Sequence, residues 1–318
     1  MISLRLYAKQ GFHSGLKEAY LRVNRLILVL SFVFLSSNSL AVQKVIYPSM
    51  ENIRETRFQD LFEILEQALD ITRPDFGDYE LSPTPFSMTE SRMLQEVKSG
   101  KIIDVIWSST SPKKEEELRP IRIPLRKGIL GYRISFIHKE HQIIFDQVNT
   151  VDDLKKFHVG QGIGWGDIDV YKHNNIPVSY APYTTLFSLI GPRRFNLFPR
   201  GVNEIYKEYA VHGESNPTLT IEDGIVLYYP WPYYFFTSKE NEKLAIRLET
   251  GLARMIKDGS FEAIFNKYNA DAIRKAELGK RRLITLENPF IPKNTPLDRD
   301  ELWFKPENVW HNKEASRK

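Results

Sequence analysis

Downstream of residue 42 the apolar positions fall into short blocks, and their spacing alternates between the two periods of regular structure. Lys44-Val-Ile-Tyr47 is a short run of strand type, and Phe58, Leu61, Phe62, Leu65 and Leu69 follow at intervals of three and four, which places them on one helical face. Thr56 with Gln59 three residues on has the pattern of a capping box, and Ser87 with Glu90 repeats it ahead of Met93, Leu94 and Val97. Gly100 supplies the stop, and Ile102-Ile-Asp-Val-Ile-Trp107 is apolar enough for a buried strand. Strand, helix, helix, strand predicts an α/β sheet with helices on its faces.

A second strand is predicted over Ile129–Ile137, and Thr150 is placed to cap a short helix ending near Phe157. The strand His158-Val-Gly160 then runs into a glycine-rich turn. Farther on, Ile225-Val-Leu-Tyr-Tyr229 and Tyr233-Tyr-Phe-Phe236 bracket a Pro-Trp-Pro. A long helix follows, with Leu244, Ala245, Leu248, Leu252, Met255 and Ile256 at helical spacing. The last forty residues are richer in proline and charge and read as an extended tail held to the surface by Phe290, Trp303, Phe304 and Trp310.

The first 41 residues have a different pattern. Basic residues end at Arg25, the ten residues Leu26–Leu35 are almost wholly apolar, and Ser36-Ser-Asn-Ser-Leu-Ala41 places small Ser39 and Ala41 where a signal peptidase needs them. Ten apolar residues are too few to span a bilayer of roughly 30 Å, so the segment reads as an export signal cleaved after Ala41, with a translation start near Val23 as a shorter version of it. Of the chain's 44 basic and 40 acidic residues, five basic and one acidic lie in this segment, which leaves 39 of each beyond it. The formal charge of +4 therefore belongs to the signal, and the balanced remainder gives no reason to expect nucleic acid as a partner. The absence of cysteine excludes a disulfide scaffold, a thiolate metal site, a cysteine nucleophile and a lipid-modified N-terminal cysteine. A soluble periplasmic protein that is not lipid-anchored is the expectation.

The run Leu94-x-x-Val-Lys-Ser-Gly-Lys-Ile-Ile-Asp-Val-Ile106, with Ser109-Thr-Ser-Pro-Lys-Lys114 after it, resembles the first-lobe signature of the family 3 extracellular solute-binding proteins. Thr150 to Gly166 is similar to the start of that family's second lobe, and Gly251-Leu-Ala-Arg-Met-Ile-Lys-Asp-Gly-Ser-Phe261 to its closing helix and stop. The resemblance implies a type II periplasmic-binding-protein fold of two α/β lobes, the first discontinuous (42–138 and 231–318, including the tail from about 280), the second 139–230. Two hinge crossings are then expected near Ile137–Lys139 and near Tyr229–Tyr233, with a ligand between lobes that close about them.

Open α/β sheets bind ligands beyond the carboxyl ends of their strands, which singles out Trp107, Ser108, Ser109 and Thr110. Amino-acid binders of the family carry an arginine shortly after this turn to grip a carboxylate with two parallel bonds, and the matching position here is Lys114, a point charge without that fork. Arg126 or Arg133 is an alternative source of the fork, and a surface role for Lys114 in the run Lys113–Glu117 is the plain alternative. In the second lobe, Gly164, Trp165 and Gly166 precede a helix whose start offers free N–H groups, unless Asp167 caps it. The alternating glycines are not a dinucleotide fingerprint. Arg194 and Asn196 are similar to an element that supplies an acidic contact to a ligand amine in amino-acid binders, but Asn196 is neutral. With Arg200 nearby, the balance leans towards a polar neutral or anionic solute. Tyr228, Tyr229, Trp231, Tyr233 and Tyr234 read chiefly as hinge packing.

No cofactor motif is present, and His138 with His141 is the one histidine pair at metal-like spacing, so neither a cofactor nor a metal is expected. The implied partners are a small-molecule solute and a membrane permease of ABC type, with a membrane sensor as the alternative and a monomer as the expected state. A small dehydratase on the same fold is the rival in chemistry, with Asp104 and Asp167 as its candidate acids; both are more simply read as turn or cap residues.

Overall fold

The computed structural model describes residues 42–49, 58–191 and 194–306. The expected export segment, Thr56 and Trp310 lie outside them. Two groups of strands organise the rest. In the first, β1 (Gln43–Tyr47) runs parallel to β2 (Tyr79–Pro83), with the helix α1 (Gln59–Asp70) between them in sequence. The helix α2 (Glu90–Ser99) leads to β3 (Val105–Ser109), and α3 (Pro112–Glu117) to β4 (Arg119–Ile121).

In the second group β5 (Tyr132–His138) is central, and α4 (Val151–Leu154) leads to β6 (Val159–Gly162). After α5 (Ile168–His173), β7 (Val178–Ala181) runs parallel to β6. Antiparallel to β5 lie β8 (Phe198–Gly201), β9 (Leu219–Ile221) and β10 (Ile225–Tyr228), with α6 (Val202–His212) after β8. The chain then returns to the first group as β11 (Tyr233–Thr237), which lies antiparallel between β3 and β4. Two 17-residue helices follow, α7 (Glu242–Asp258) and α8 (Ser260–Ala276), and finally β12 (Arg282–Thr285) runs parallel to β10.

The apolar period read from the sequence is the one that packs. Leu61, Leu65 and Leu69 of α1 and Leu244, Leu248 and Leu252 of α7 are essentially unexposed and share one core with Val45, Val105 and Phe235. Each buried leucine contributes about 1.5–3 kcal/mol relative to exposure. The second group has its own cores, one around Phe136, Phe187 and Phe198 and another around Val159, Val170 and Leu227.

Several boundaries differ from the sequence pattern. The cap of α2 is Thr89, whose hydroxyl accepts the Arg92 N–H, not Ser87; Gly100 closes the helix in the left-handed conformation as expected. Thr150 and Asp153 form a reciprocal capping box, and α4 ends at Leu154. The strand expected at Ile102 starts at Val105, because Asp104 turns back: its backbone N–H donates to Ile46 and its carboxylate accepts the Ile46 N–H at 2.8 Å.

The first passage between the strand groups also moves. His138 pairs with Leu219 and Arg133 with Gly201, so β5 belongs to the second group along its whole length. The crossing lies in Arg122–Gly131, between β4 and β5, and not at Ile137–Lys139; the chain passes back through Tyr229–Pro232, between β10 and β11. The tail is not confined to the first group either, since β12 adds a strand to the second.

Candidate functional site

A cavity of about 730 Å³ opens between the strand groups, with walls from both and from the two crossings. The first group contributes the end of β3 and the turn into α3, and the second contributes the Gly164–Asp167 turn, β8 and the first turns of α6. Phe58, Trp165, Trp231, Tyr233, Tyr268 and Phe290 supply rings, while six basic and six acidic side chains bring the charge.

Most of those charges are paired among the described residues, Lys113, Lys207 and Asp169 excepted. Arg126, in the first crossing, donates from Nε and Nη2 to the two carboxylate oxygens of Asp60 at 2.6 and 2.7 Å, the fork-to-carboxylate geometry that a lysine cannot make. Arg200, on β8, does the same to Glu208 at 2.7 Å twice and lies 3.1 Å from Glu204. Arg133, on β5, meets Asp167 at 3.0 Å and is 3.7 Å from Glu204. All three arginines are about 5% exposed or less. Burial opposes their charge, yet the acidic and phenolic groups around them outweigh it and hold each above the ordinary arginine value. Glu204 responds in kind: burial raises its pKa, and Arg200 and Arg133 together bring it below the ordinary glutamate value.

Aromatic groups complete the network. The Arg200 guanidinium lies 4.6 Å from the centre of the Trp165 ring, and Arg133 lies 5.5 Å from that of Tyr229. The Tyr229 hydroxyl donates to Asp167 at 3.0 Å, and burial pushes its pKa well above that of a free tyrosine. Tyr183 donates to Glu208 at 3.0 Å. The indole of Trp165 folds back over Gly162, where a Cβ would come within 2.2 Å of a ring atom, so only glycine admits this placement.

Of the residues singled out in the sequence, Ser109, Thr110, Lys114, Arg126, Gly164, Trp165, Gly166 and Arg200 line the cavity, and so does Arg133. Lys114 has a use of its own: its ammonium donates to Ser108 Oγ (2.6 Å), Glu90 Oε1 (3.0 Å) and the Ser109 carbonyl (3.0 Å), which engages all three of its donors. Thr110 donates its hydroxyl to Glu115 at 2.7 Å.

Four candidates lie elsewhere. Trp107 packs between Tyr47, Phe58 and Phe235 against the first core, because alternation along β3 sends it to the helix-covered face. Ser108, buried beneath the surface, is spent on Glu90 and Lys114. Arg194 is exposed and outside the cavity. The Asn196 side chain accepts the His158 N–H at 2.9 Å, a backbone tie beside β6.

Asp167 is not a cap for α5: no side-chain cap bond forms, and its carboxylate takes Arg133 and Tyr229 instead. The cavity lining is formally balanced in charge. Sequence reasoning missed Asp60, Glu204 and Glu208. The last two stand four residues apart on α6, a like-charge spacing that destabilises a helix unless a cation answers it, and that was the available signal.

No protein-family model and no curated protein matches the sequence. Solved structures do match. One is a structure from the glutathione-import system of Streptococcus mutans, at 10% identity and a TM-score of 0.53, covering 71% of this chain and 95% of that one. A Bacillus subtilis protein aligns at 16% identity and a TM-score of 0.50 over 77% and 97% of the two chains. An arginine-specific periplasmic binding protein of Salmonella typhimurium aligns at 13% and 0.50 over 71% and 99%. The chain therefore has the two-lobed α/β fold of the type II periplasmic binding proteins. Because those structures are covered nearly completely and this chain is not, it carries segments beyond the shared fold.

Proposed function

We propose that the protein is an exported solute-binding protein that captures a small polar solute between its two lobes and presents it to a membrane permease of ABC type. The observation that carries this reading is the cavity of about 730 Å³ lined from both strand groups, a volume suited to a small molecule. Lobe 1 comprises the first strand group with α1–α3, α7 and the start of α8; lobe 2 comprises β5–β10 with β12. Among the described residues no helix is long and apolar enough to cross a membrane, and export rests on the basic stretch, apolar run and small-residue cleavage pattern of the first 41 residues.

The paired charges favour a solute bearing donors and acceptors, or charges of both signs, over a simple anion. A lone anion would have to displace carboxylates already bound to buried arginines. Binding is favoured over catalysis, because Asp167 is committed to Arg133 and Tyr229 and Asp104 lies outside the cavity, bound to the Ile46 N–H. A thermal-shift screen against amino acids, organic acids, small peptides and sugars tests this reading, since a solute that binds only the folded state raises the melting temperature. Stabilisation by at least one of these solutes, without turnover, is expected. Turnover of a stabilising compound overturns it.

A further inference from the structure

Two crossings, Arg122–Gly131 and Tyr229–Pro232, would suffice for a hinge, but the chain crosses twice more. The helix α8 begins in the first core with Phe261 and Ile264 and ends in the second with Ala276. From there β12 joins β10, and the chain comes back again. Leu286, buried in the second lobe, donates its N–H to the Tyr228 carbonyl, while Leu302 lies in the first core, 1% exposed.

The stretch between those two leucines is fastened at both ends. On the second-lobe side the Glu287 N–H donates to Asn174 Oδ1 at 3.0 Å, Asn174 Nδ2 donates to the Glu287 carbonyl at 2.8 Å, and the Phe290 ring meets His173 edge-on. Asn288 Nδ2 donates to the Pro230 carbonyl, in the second crossing, at 2.9 Å. At the other end Trp303 Nε1 donates to Pro296, and the Phe304 N–H donates to the Lys127 carbonyl at 2.7 Å, in the first crossing. The Trp303 ring lies against Gly128, where a Cβ would be 2.4 Å from a ring carbon and φ is +68°, so glycine is required there twice over. Between the fastenings, Asn288, Phe290 and Ile291 line the cavity.

We propose that Leu286–Leu302 is a tie across the cleft: it forms part of the cavity wall and limits how far the lobes part. A hinge of two strands opens freely until its own dihedrals resist, whereas a segment of fixed length anchored on both lobes stops the motion once it is taut. The role of Phe290 as a wall for solute rests on the solute-binding reading. The limit on opening stands without it.

The experiment is therefore made without solute. The chain has no cysteine, so Gln95→Cys on α2 and Lys155→Cys beside α4, both exposed, carry one nitroxide on each lobe. Double electron–electron resonance reads the interlobe distance in this protein and in a variant with ten Gly/Ser residues inserted between the exposed Lys293 and Asn294, which adds about 3.3 Å of reach per residue and leaves both anchors in place. A single narrow distribution in the parent, widened and shifted to longer distance in the lengthened chain, is expected. A second, longer population already present in the parent overturns the tie, as does an unchanged distribution in the variant. If the lengthened chain loses its cooperative melt, Asn288→Ala with Phe290→Ala, which keeps the length and removes the docking, is read against the same two outcomes.

Discussion

Arg126 and Asp60 are 66 residues apart in sequence and meet through two parallel hydrogen bonds of 2.6 and 2.7 Å at the cavity wall, where both side chains are largely buried. Arg126 belongs to the first crossing and Asp60 to the first turn of α1, so this pair fixes the direction in which the chain leaves the first lobe. Asp60→Asn leaves a buried guanidinium without its counter-charge and is expected to cost about 3–5 kcal/mol, read as a lower urea midpoint. Asp60→Leu with Arg126→Met should recover most of that loss, because an apolar pair of similar volume needs no desolvated charge. A double variant no more stable than the single one would show that the pair does more than neutralise itself.

Arg194 and Trp165 separate surface from site. Arg194→Ala is expected to leave both melting temperature and solute affinity within about 0.5 kcal/mol of the parent, as a substitution on an exposed loop outside the cavity. Trp165→Ala removes a wall of the cavity and the face on which Arg200 rests, and should weaken binding about tenfold, or ~1.4 kcal/mol. Calorimetry with any solute that raises the melting temperature checks both. Equal losses in the two variants would place the solute elsewhere.

The Thr150–Asp153 capping box gives a defined acid response. The Asp153 carboxyl is held down to about 2 by the Asn149 N–H, the Thr150 hydroxyl and Lys156. A folded pKa below the unfolded value means stability that is fully present above about pH 4 and is lost as pH falls from there to about 2. Asp153→Asn should flatten the pH dependence of the unfolding free energy in that window and leave its slope near neutrality unchanged. Parallel curves for the two proteins would refute the assignment.

Arg247 is fully buried and, among the described residues, has no carboxylate partner: it donates to Thr72 Oγ1, Gln43 Oε1 and the Leu69 and Gly77 carbonyls at 2.8–3.0 Å. Burial drives its pKa below the ordinary arginine value. Arg247→Met keeps much of the volume and strands two carbonyls, each worth about 1–3 kcal/mol when left unpaired. Chemical denaturation should show a loss in that range or above it, with solute affinity unchanged, since Arg247 is remote from the cavity.

The periodic parts of this fold are legible in the sequence because burial imposes the period: the spacing of Leu61, Leu65 and Leu69 alone places them on a core face. Lys114 was legible as a departure from an arginine, but its three acceptors are not, since Glu90 lies 24 residues upstream. Trp107 and Ser109 show the limit most directly. They are two residues apart on one strand, yet Ser109 lines the cavity and Trp107 packs against the first core. Asp60 carries no local mark of burial, because its partner Arg126 comes from another element, and Glu208 is marked by nothing more than its like-charge spacing to Glu204. The crossing at Arg122–Gly131 was missed because Ile129–Ile137 reads as one strand-rich run, and such a run cannot say which sheet its strand joins.

The ion pairs on the cavity floor also constrain how this protein can diverge. Arg126, Arg133 and Arg200 are held in buried ion pairs with Asp60, Asp167 and Glu208 while they line the cavity, so a substitution that changes recognition there also costs stability. Phe290, 40% exposed, lines the same cavity but is docked by a ring contact with His173 and not by a buried ion pair. New solute preferences should therefore accumulate first along Asn288–Ile291, with the arginine floor passed on unaltered.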